Sequence, residues 1–333
     1  MLVVARTLEE GRLRGPVARA LSGVWSFAAE RTVVRPLPLP PRVQVVAVGG
    51  ATLGGSGKTP LAIACARELA LRGARVALVG HAYRARPGWP RLVEAGDARA
   101  QVGDEALLAA RSLQGCGARV VVAPRRAQAV ALAATLADVL VLDGVLQTAP
   151  VRASLSLLAV DAVAPWGSGS VPPCGDLRAD VGALLGACDA VVPVGERGDL
   201  HDLATGAHHD SRGVWLEGAL LSWEAVRGSR LGLASALARP ERVLRFLARR
   251  GVHPVVVVRA ADHGRMSARA LAAHDERLDL WLATPKCALH LPGPVRAPLA
   301  TVDHALVLSA VIRARLAVLA ARAALLDPRG RQQ

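Results

Sequence analysis

The sequence predicts an α/β fold: a doubly wound, mainly parallel sheet flanked by helices, with a second, smaller α/β domain. Three observations carry this reading. An apolar, mostly β-branched run at 45–48 ends on Gly49-Gly50 and leads through a glycine-rich loop into a helix-forming segment at 61–71. Further apolar runs at 75–79, 120–122, 138–142 and 155–160 alternate with helical segments at 106–113 and 127–137, which is the spacing of βαβ units. A second α/β pattern then begins at 190.

The loop, Gly55-Ser56-Gly57-Lys58-Thr59, is the most informative stretch. Glycines let backbone N–H groups converge on a phosphate, and the helix start adds favourable partial charge. Lys58 then reaches the terminal phosphates and the Thr59 hydroxyl holds Mg²⁺. Thr52 stands where G-x-x-x-x-G-K-[ST] expects its first glycine. With a strand before the loop and a helix after it, the fold class sharpens to one resembling the phosphate-loop (P-loop) NTPases.

Composition bounds the rest. A chain of 333 residues is long enough for two domains and a large core, and at 52% apolar but 3% aromatic that core must be Ala, Val and Leu. Five scattered cysteines without metal-ligand spacing fit a reducing compartment. No signal-peptide pattern is evident, and no uncharged stretch reaches the roughly 20 apolar residues of a membrane span. The net charge of +14 is compatible with nucleic acid, an anionic membrane or acidic substrates. No aromatic-basic interleaving supports nucleic acid. Of the 41 basic residues only Lys58 and Lys286 are lysines. An ammonium and a guanidinium are not interchangeable at a phosphate, so lysine is expected where arginine cannot replace it.

In chain order, residues 5–31 mix Arg with Leu, Val, Trp25 and Phe27. This pattern fits a basic amphipathic helix, either packed on the domain or lying on an anionic membrane surface. Residues 36–41 (PLPLPP) form a stiff connector. Tyr83, the only tyrosine, lies just past the 75–79 strand, where open α/β sheets bind ligands. Asp104 and Glu105 open a helix, where acidic residues ordinarily serve as caps. The 138–142 strand closes on Asp143, the usual form of the second magnesium-binding element in phosphate-loop enzymes. Residues 165–180 form a Gly/Pro loop too long for filler. Beyond it come a strand at 190–194, a helix at 240–250, strands at 255–258 and 279–283, and a long helix at 303–326. The expected organisation is a basic helical region at 1–35, a nucleotide-binding domain at 36–185, a smaller α/β domain at 186–300 closing over the site, and a C-terminal helix at 301–333.

Taken together in order, these motifs resemble the tetraacyldisaccharide 4′-kinases of lipid A biosynthesis, from about residue 42 to 289. That family's V-G-N-L-T-V-G-G-T-G-K-T-P is matched by VGGATLGGSGKTP at 48–60, which accounts for Thr52. Its V-G-D-E is kept at 102–105, and its P-x-G-N-G and P-A-G-P-L-R-E loop is recognisable at 165–169 and 173–178. Its R-G-Y-G keeps Tyr83, its D-H-H keeps Asp262-His263, and its T-E-K-D keeps Thr284 and Lys286.

The resemblance implies an ATP- and Mg²⁺-dependent transfer of phosphate to the 4′-hydroxyl of a tetraacyldisaccharide 1-phosphate lipid. It implies that Asp104 is the general base, His263 its partner and Lys58 the phosphate-binding cation. Thr52, Leu53, Gly54, Gly55, Ser56, Gly57, Lys58 and Thr59 would hold the nucleotide, and Thr59 with Asp143 the metal. Tyr83, Gln147 and Arg178 would contact the substrate or the transferred phosphate. The expected partners are the lipid disaccharide and an anionic membrane surface, at the cytoplasmic face of the inner membrane, with no nucleic acid and no obligate protein partner.

The sequence also departs from the family. D-D-G-F-Q-H-R-R is here Asp143-Gly144-Val145-Leu146-Gln147-Thr148-Ala149-Pro150, with one carboxylate, the histidine and both arginines gone. Gly264, Pro285 and Cys287 replace further family residues. Glu105 and Asp161 are the candidates to replace the lost carboxylate. An alternative is a nucleotide-binding relative acting as scaffold or regulator. A partitioning-type ATPase is disfavoured by Leu53, which stands where that class needs a lysine.

Overall fold

The computed structural model describes residues 7–8, 10–13, 15–82, 85–237, 240–260, 264–293 and 295–326. They form two compact units, one taking in His209–Ala305 and the other the described residues before and after it.

In the larger unit, α1 (Pro16–Val33) runs directly into β1 (Val34–Pro36). β2 (Gln44–Gly50) leads through the glycine loop to α2 (Lys58–Leu71) and β3 (Val76–Val79). Then come β4 (Arg91–Leu92), α3 (Asp104–Ser112), β5 (Arg119–Val122) and α4 (Arg126–Leu136). β6 (Val139–Asp143), β7 (Gln147–Ala149), β8 (Leu155–Asp161), α5 (Val181–Gly186) and β9 (Ala190–Glu196) complete the first pass.

β2 lies between β8 and β6 and is parallel to both. β3 is parallel to β6 and β5, and β9 to β8, while β4 closes one edge antiparallel to β5. The chain therefore moves outward from β2 to β3 and β5, returns to insert β6, and crosses to β8. That reversal beside β2 is the topological switch point, where ligands bind at the carboxyl ends of the strands.

Both faces of such a sheet are covered, so its strands read as unbroken apolar runs. Val45, Ala47, Val79, Val121, Leu140 and Leu142 meet Ala129, Val130 and Ala133 of α4 in one buried layer. Each fully buried Val or Leu contributes about 1.5–3 kcal/mol, so an Ala/Val/Leu core suffices without aromatics. α2 buries Leu61, Ala62, Cys65, Ala66 and Leu69.

The expected domain limits need correction. β9, assigned from sequence to the second domain beginning at 186, is hydrogen-bonded parallel to β8. The larger unit thus extends to about residue 208. β10 (Ala207–Asp210) and β17 (Ala305–Leu308), where the chain leaves and re-enters this unit, lie in the same sheet, beyond β9. The C-terminal helix is α9 (Ala310–Leu326), packed against α2, and strand at 301–302 and 305–308 precedes it.

The smaller unit holds a hairpin, β11 (Gly213–Leu216) and β12 (Ala219–Ser222), then β13 (Leu231–Ser235) and α6 (Pro240–Ala248). β14 (Val256–Arg259), α7 (Ala268–Asp275), β15 (Leu280–Ala283), α8 (Pro285–Ala288) and β16 (Leu299–Val302) follow. The strand order is β12-β11-β16-β15-β13-β14, parallel from β16 to β14. Leu231 and Leu233 pack on Phe246 and Leu247, and Ala234 faces Trp281 on the other side. Gly232 is required there, because a Cβ would sit 2.6 Å from the Trp281 ring.

The His304 ring stacks on His209 at 3.9 Å, edge-on to Phe246. Burial, with the Arg250 charge, pushes His304 from 6.5 down to about 4. A depressed histidine adds stability that is present above its unfolded value and lost as the pH falls toward the folded one. Urea unfolding is therefore expected to show a loss approaching about 3 kcal/mol on acidification from pH 7 to pH 4, and His304→Gln to remove most of that acid dependence.

Candidate active site

The glycine loop lies at the carboxyl end of β2. Gly57 caps α2 with φ 81°, a left-handed conformation, and a Cβ there would meet Val194 Cγ1 at 2.7 Å. Gly50 has no room for a side chain either, since its Cβ would fall 2.0 Å from Ser56 Oγ. Substitution at either position would reshape the phosphate cradle.

The structure explains Thr52. It forms a β-bridge with Leu177, is buried, and donates from Oγ1 to the Gly54 carbonyl at 2.7 Å. It is not among the described non-glycine residues with positive φ, so no glycine is needed there. The Leu53 N–H donates to the Asp176 carbonyl at 2.8 Å. Arg178, expected on the substrate, places Nε on the Thr52 carbonyl at 2.9 Å and Nη2 on that of Leu53 at 3.4 Å. The 165–180 loop is thus a brace for the phosphate loop.

β6 runs beside β2 in a register that sets Asp143 opposite Val48. Thr59 Oγ1 donates to Asp143 Oδ2 at 2.7 Å. Asp143 Oδ1 is buried with no hydrogen-bond partner. Burial pushes this carboxyl up, as does the charge of Glu105, while Lys58, the Thr59 hydrogen bond and Arg126 oppose the shift. A buried oxygen with no partner calls for an explanation, and a divalent cation supplies one. Mg²⁺ takes hard oxygen donors, one or two of them carboxylates, together with phosphate and water. Thr59 and Asp143 fit that donor set. No group of three or more His, Cys, Asp or Glu that could hold a metal occurs among the described residues, so the remaining ligands would come from phosphate and water.

α3 delivers the two acids at its first turn, after Gly103 at φ 88°. Asp104 is 4% exposed, and its Oδ1 accepts the Glu105 N–H at 3.0 Å. Glu105 Oε1 lies 3.2 Å from Lys58 Nζ, tying α3 to the phosphate loop. Gln147, on β7, keeps a buried Oε1 without a partner. Tyr83 and His263 lie outside the described residues.

Sequence reasoning missed Arg126. It opens α4, and its Nη1 donates to the Asp143 backbone carbonyl at 2.6 Å. Burial chiefly lowers its guanidinium, and Asp143 opposes that. The signal was its place just past the carboxyl end of the 120–122 strand, the same edge as the loop. Arg126 on the Asp143 carbonyl and Lys58 on Glu105 set two cations beside the three buried acids Asp104, Glu105 and Asp143, which is the equipment of phosphoryl transfer.

The comparisons agree with this geometry. The family model described as tetraacyldisaccharide-1-P 4′-kinase matches residues 16–326. The chain is 36% identical over 325 residues to a tetraacyldisaccharide 4′-kinase of Methylobacterium sp. (strain 4-46), covering 92% of this chain and 93% of that one. It is 34% identical over 319 residues to one of Methylorubrum extorquens, covering 93% and 94%. The crystal structure of LpxK from Aquifex aeolicus in complex with ATP superposes with a TM-score of 0.67 at 19% identity, over 92% of this chain and 97% of that one. At that identity the likeness speaks for the fold.

Proposed function

The chain belongs to the tetraacyldisaccharide-1-P 4′-kinase family, and from that premise we propose how its residues carry out the family's reaction. It is an ATP-dependent kinase that transfers the γ-phosphate to the 4′-hydroxyl of a tetraacyldisaccharide 1-phosphate lipid, a step of lipid A biosynthesis.

The backbone amides of the 54–59 loop receive the nucleotide phosphates. Lys58 leaves Glu105 to reach the terminal phosphate. Thr59 and Asp143 hold Mg²⁺, which when bound neutralises charge developing on the phosphate oxygens. Arg126, fixed on the Asp143 carbonyl, adds a cation on that side. The acceptor 4′-oxygen bonds to the γ-phosphorus as the bridging P–O bond breaks and ADP departs. Asp104 takes the hydroxyl proton, with His263 as its partner, and Tyr83 and Gln147 contact the acceptor. The observation that carries this reading is the joining of Thr59 to Asp143, at the carboxyl end of the strand beside β2, and of Lys58 to Glu105, in the first turn of α3. Phosphorus NMR of the product tests it: a second phosphomonoester at the 4′-position is expected, and esterification elsewhere contradicts it.

α1 supports a membrane-surface role. No described helix is long and apolar enough to span a bilayer. Ser22 donates to the Val171 carbonyl and Trp25 to that of Arg178, so one face of α1 is docked. Val17, Leu21, Val24 and Phe27 stand 54–71% exposed on the helix, alongside Arg19 and Arg31. Such a helix lies in the interface of an anionic leaflet, here the cytoplasmic face of the inner membrane. Val24→Glu with Phe27→Glu is expected to cut binding to phosphatidylglycerol vesicles at least about tenfold; unchanged binding would remove α1 from the membrane contact.

A further inference from the structure

Between α1 and the phosphate loop lies a cavity of about 250 Å³. Trp25, Ala29 and Val33 of α1 form one apolar wall, and Gly49-Gly50 with Gly144 form the floor. Among the described residues, Arg35 and Arg178 are its only charged lining groups, and no carboxylate faces it. An apolar wall with two guanidinium groups and no carboxylate in its lining suits an amphiphile carrying an anion.

The two arginines differ in what they have to offer. Arg178 already spends Nε and Nη2 on the Thr52 and Leu53 carbonyls. Arg35 forms no ion pair and no hydrogen bond through its side chain among the described residues. Its backbone is nevertheless held: β1 pairs in parallel with β7, setting Arg35 opposite Thr148, and the Leu37 N–H donates to the Ala149 carbonyl. After burial itself, the Arg35 charge is the main influence lowering the Arg178 guanidinium. An unpaired cation held beside other cations is unfavourable until an anion arrives.

The phosphate in transit already has its cations. Lys58 and Arg126 serve that position, beside Gly144: a Cβ on Gly144 would lie 3.7 Å from Arg126 Nη2 and 3.9 Å from Lys58 Cε. The cavity is walled by the helix that carries the exposed apolar residues, which suits the lipid acceptor as its occupant. That acceptor carries a phosphate before the reaction begins. We propose that Arg35 is a specificity residue that binds the phosphate already present on the acceptor, with Arg178 assisting. This rests on the kinase reading above.

The test compares two acceptors, the disaccharide 1-phosphate lipid and the same lipid with that phosphate removed, using wild type, Arg35→Gln and Arg35→Lys. Wild type is expected to favour the phosphorylated acceptor in kcat/KM by about tenfold or more. Arg35→Gln should bring that ratio close to one through the acceptor KM, with the KM for ATP unchanged, which also reports an intact fold. Arg35→Lys should restore part of the preference, because it keeps the charge and loses the fork. An equal loss on both acceptors, or an undiminished preference in Arg35→Gln, would overturn the proposal while leaving the kinase reading intact. Transfer to neither acceptor by wild type would overturn both.

Discussion

Replacing Asp104 by Asn is expected to lower phosphate transfer to the lipid acceptor at least about a hundredfold, the scale of a lost general base, with ATP affinity retained. The exchange is close to isosteric. The Asn side-chain carbonyl still accepts the Glu105 N–H that Asp104 Oδ1 now takes at 3.0 Å, so the start of α3 keeps its hydrogen bond. The Lys58–Glu105 pair on the next residue is untouched. What disappears is an oxygen able to take a proton, inside a site that is 4% exposed and offers little water as a substitute. Steady-state transfer with separate measurement of fluorescent ATP-analogue binding checks both halves. Near-normal turnover in Asp104→Asn would remove Asp104 from the base role.

Asp143→Asn is expected to act in opposite directions on stability and on metal use. Burial raises this carboxyl above the ordinary 3.8 of an aspartate. A raised carboxyl contributes stability that is complete below its unfolded value and is lost as the pH rises through the folded one. At neutral pH this carboxyl, raised in the fold and free to ionise on unfolding, is therefore a burden on the metal-free fold, and an amide cannot ionise. Asp143→Asn should melt at least about 1 °C higher than wild type at pH 7 in chelator, an advantage that shrinks on acidification toward pH 4. It should also lose the magnesium dependence of ATP binding, by about tenfold or more, because Oδ1 no longer carries charge. Thermal melts and nucleotide titrations with and without Mg²⁺ measure the two effects, and a lower melting temperature would contradict the burial account.

The parts of the fold that sequence revealed are those where one residue type has one physical use. The buried parallel strands read as apolar runs because both of their faces are covered, and the loop reads as glycines because Gly50 and Gly57 have no room for a Cβ. The parts that stayed hidden depend on partners distant in sequence. β1 and β7 are three residues each and exist only through each other. The β11–β12 hairpin turns at Glu217-Gly218, both with positive φ; a turn of that kind is normally announced by Asn or Asp before the glycine, and Glu217 concealed it.

The same division runs through the site. Lys58, Thr59 and Asp143 were visible because their chemistry is carried by local motifs, whereas Asp104 reads locally as a helix cap and stood out only through the family resemblance. Arg126 and Arg35 were not, in a chain where arginine is so common that a single one stands out only by position. Arg178 was visible, but its use as a strut on Thr52 and Leu53 follows from contacts more than a hundred residues away in sequence.

The chain transfers phosphate and does not merely hold nucleotide. This is tested most directly by following labelled γ-phosphate from ATP into the tetraacyldisaccharide 1-phosphate lipid, with purified wild-type protein and Mg²⁺ in detergent micelles. Label is expected in the lipid at a rate at least about a hundredfold above that of Asp104→Asn. ATP binding by wild type with no more label in the lipid than Asp104→Asn produces would contradict it.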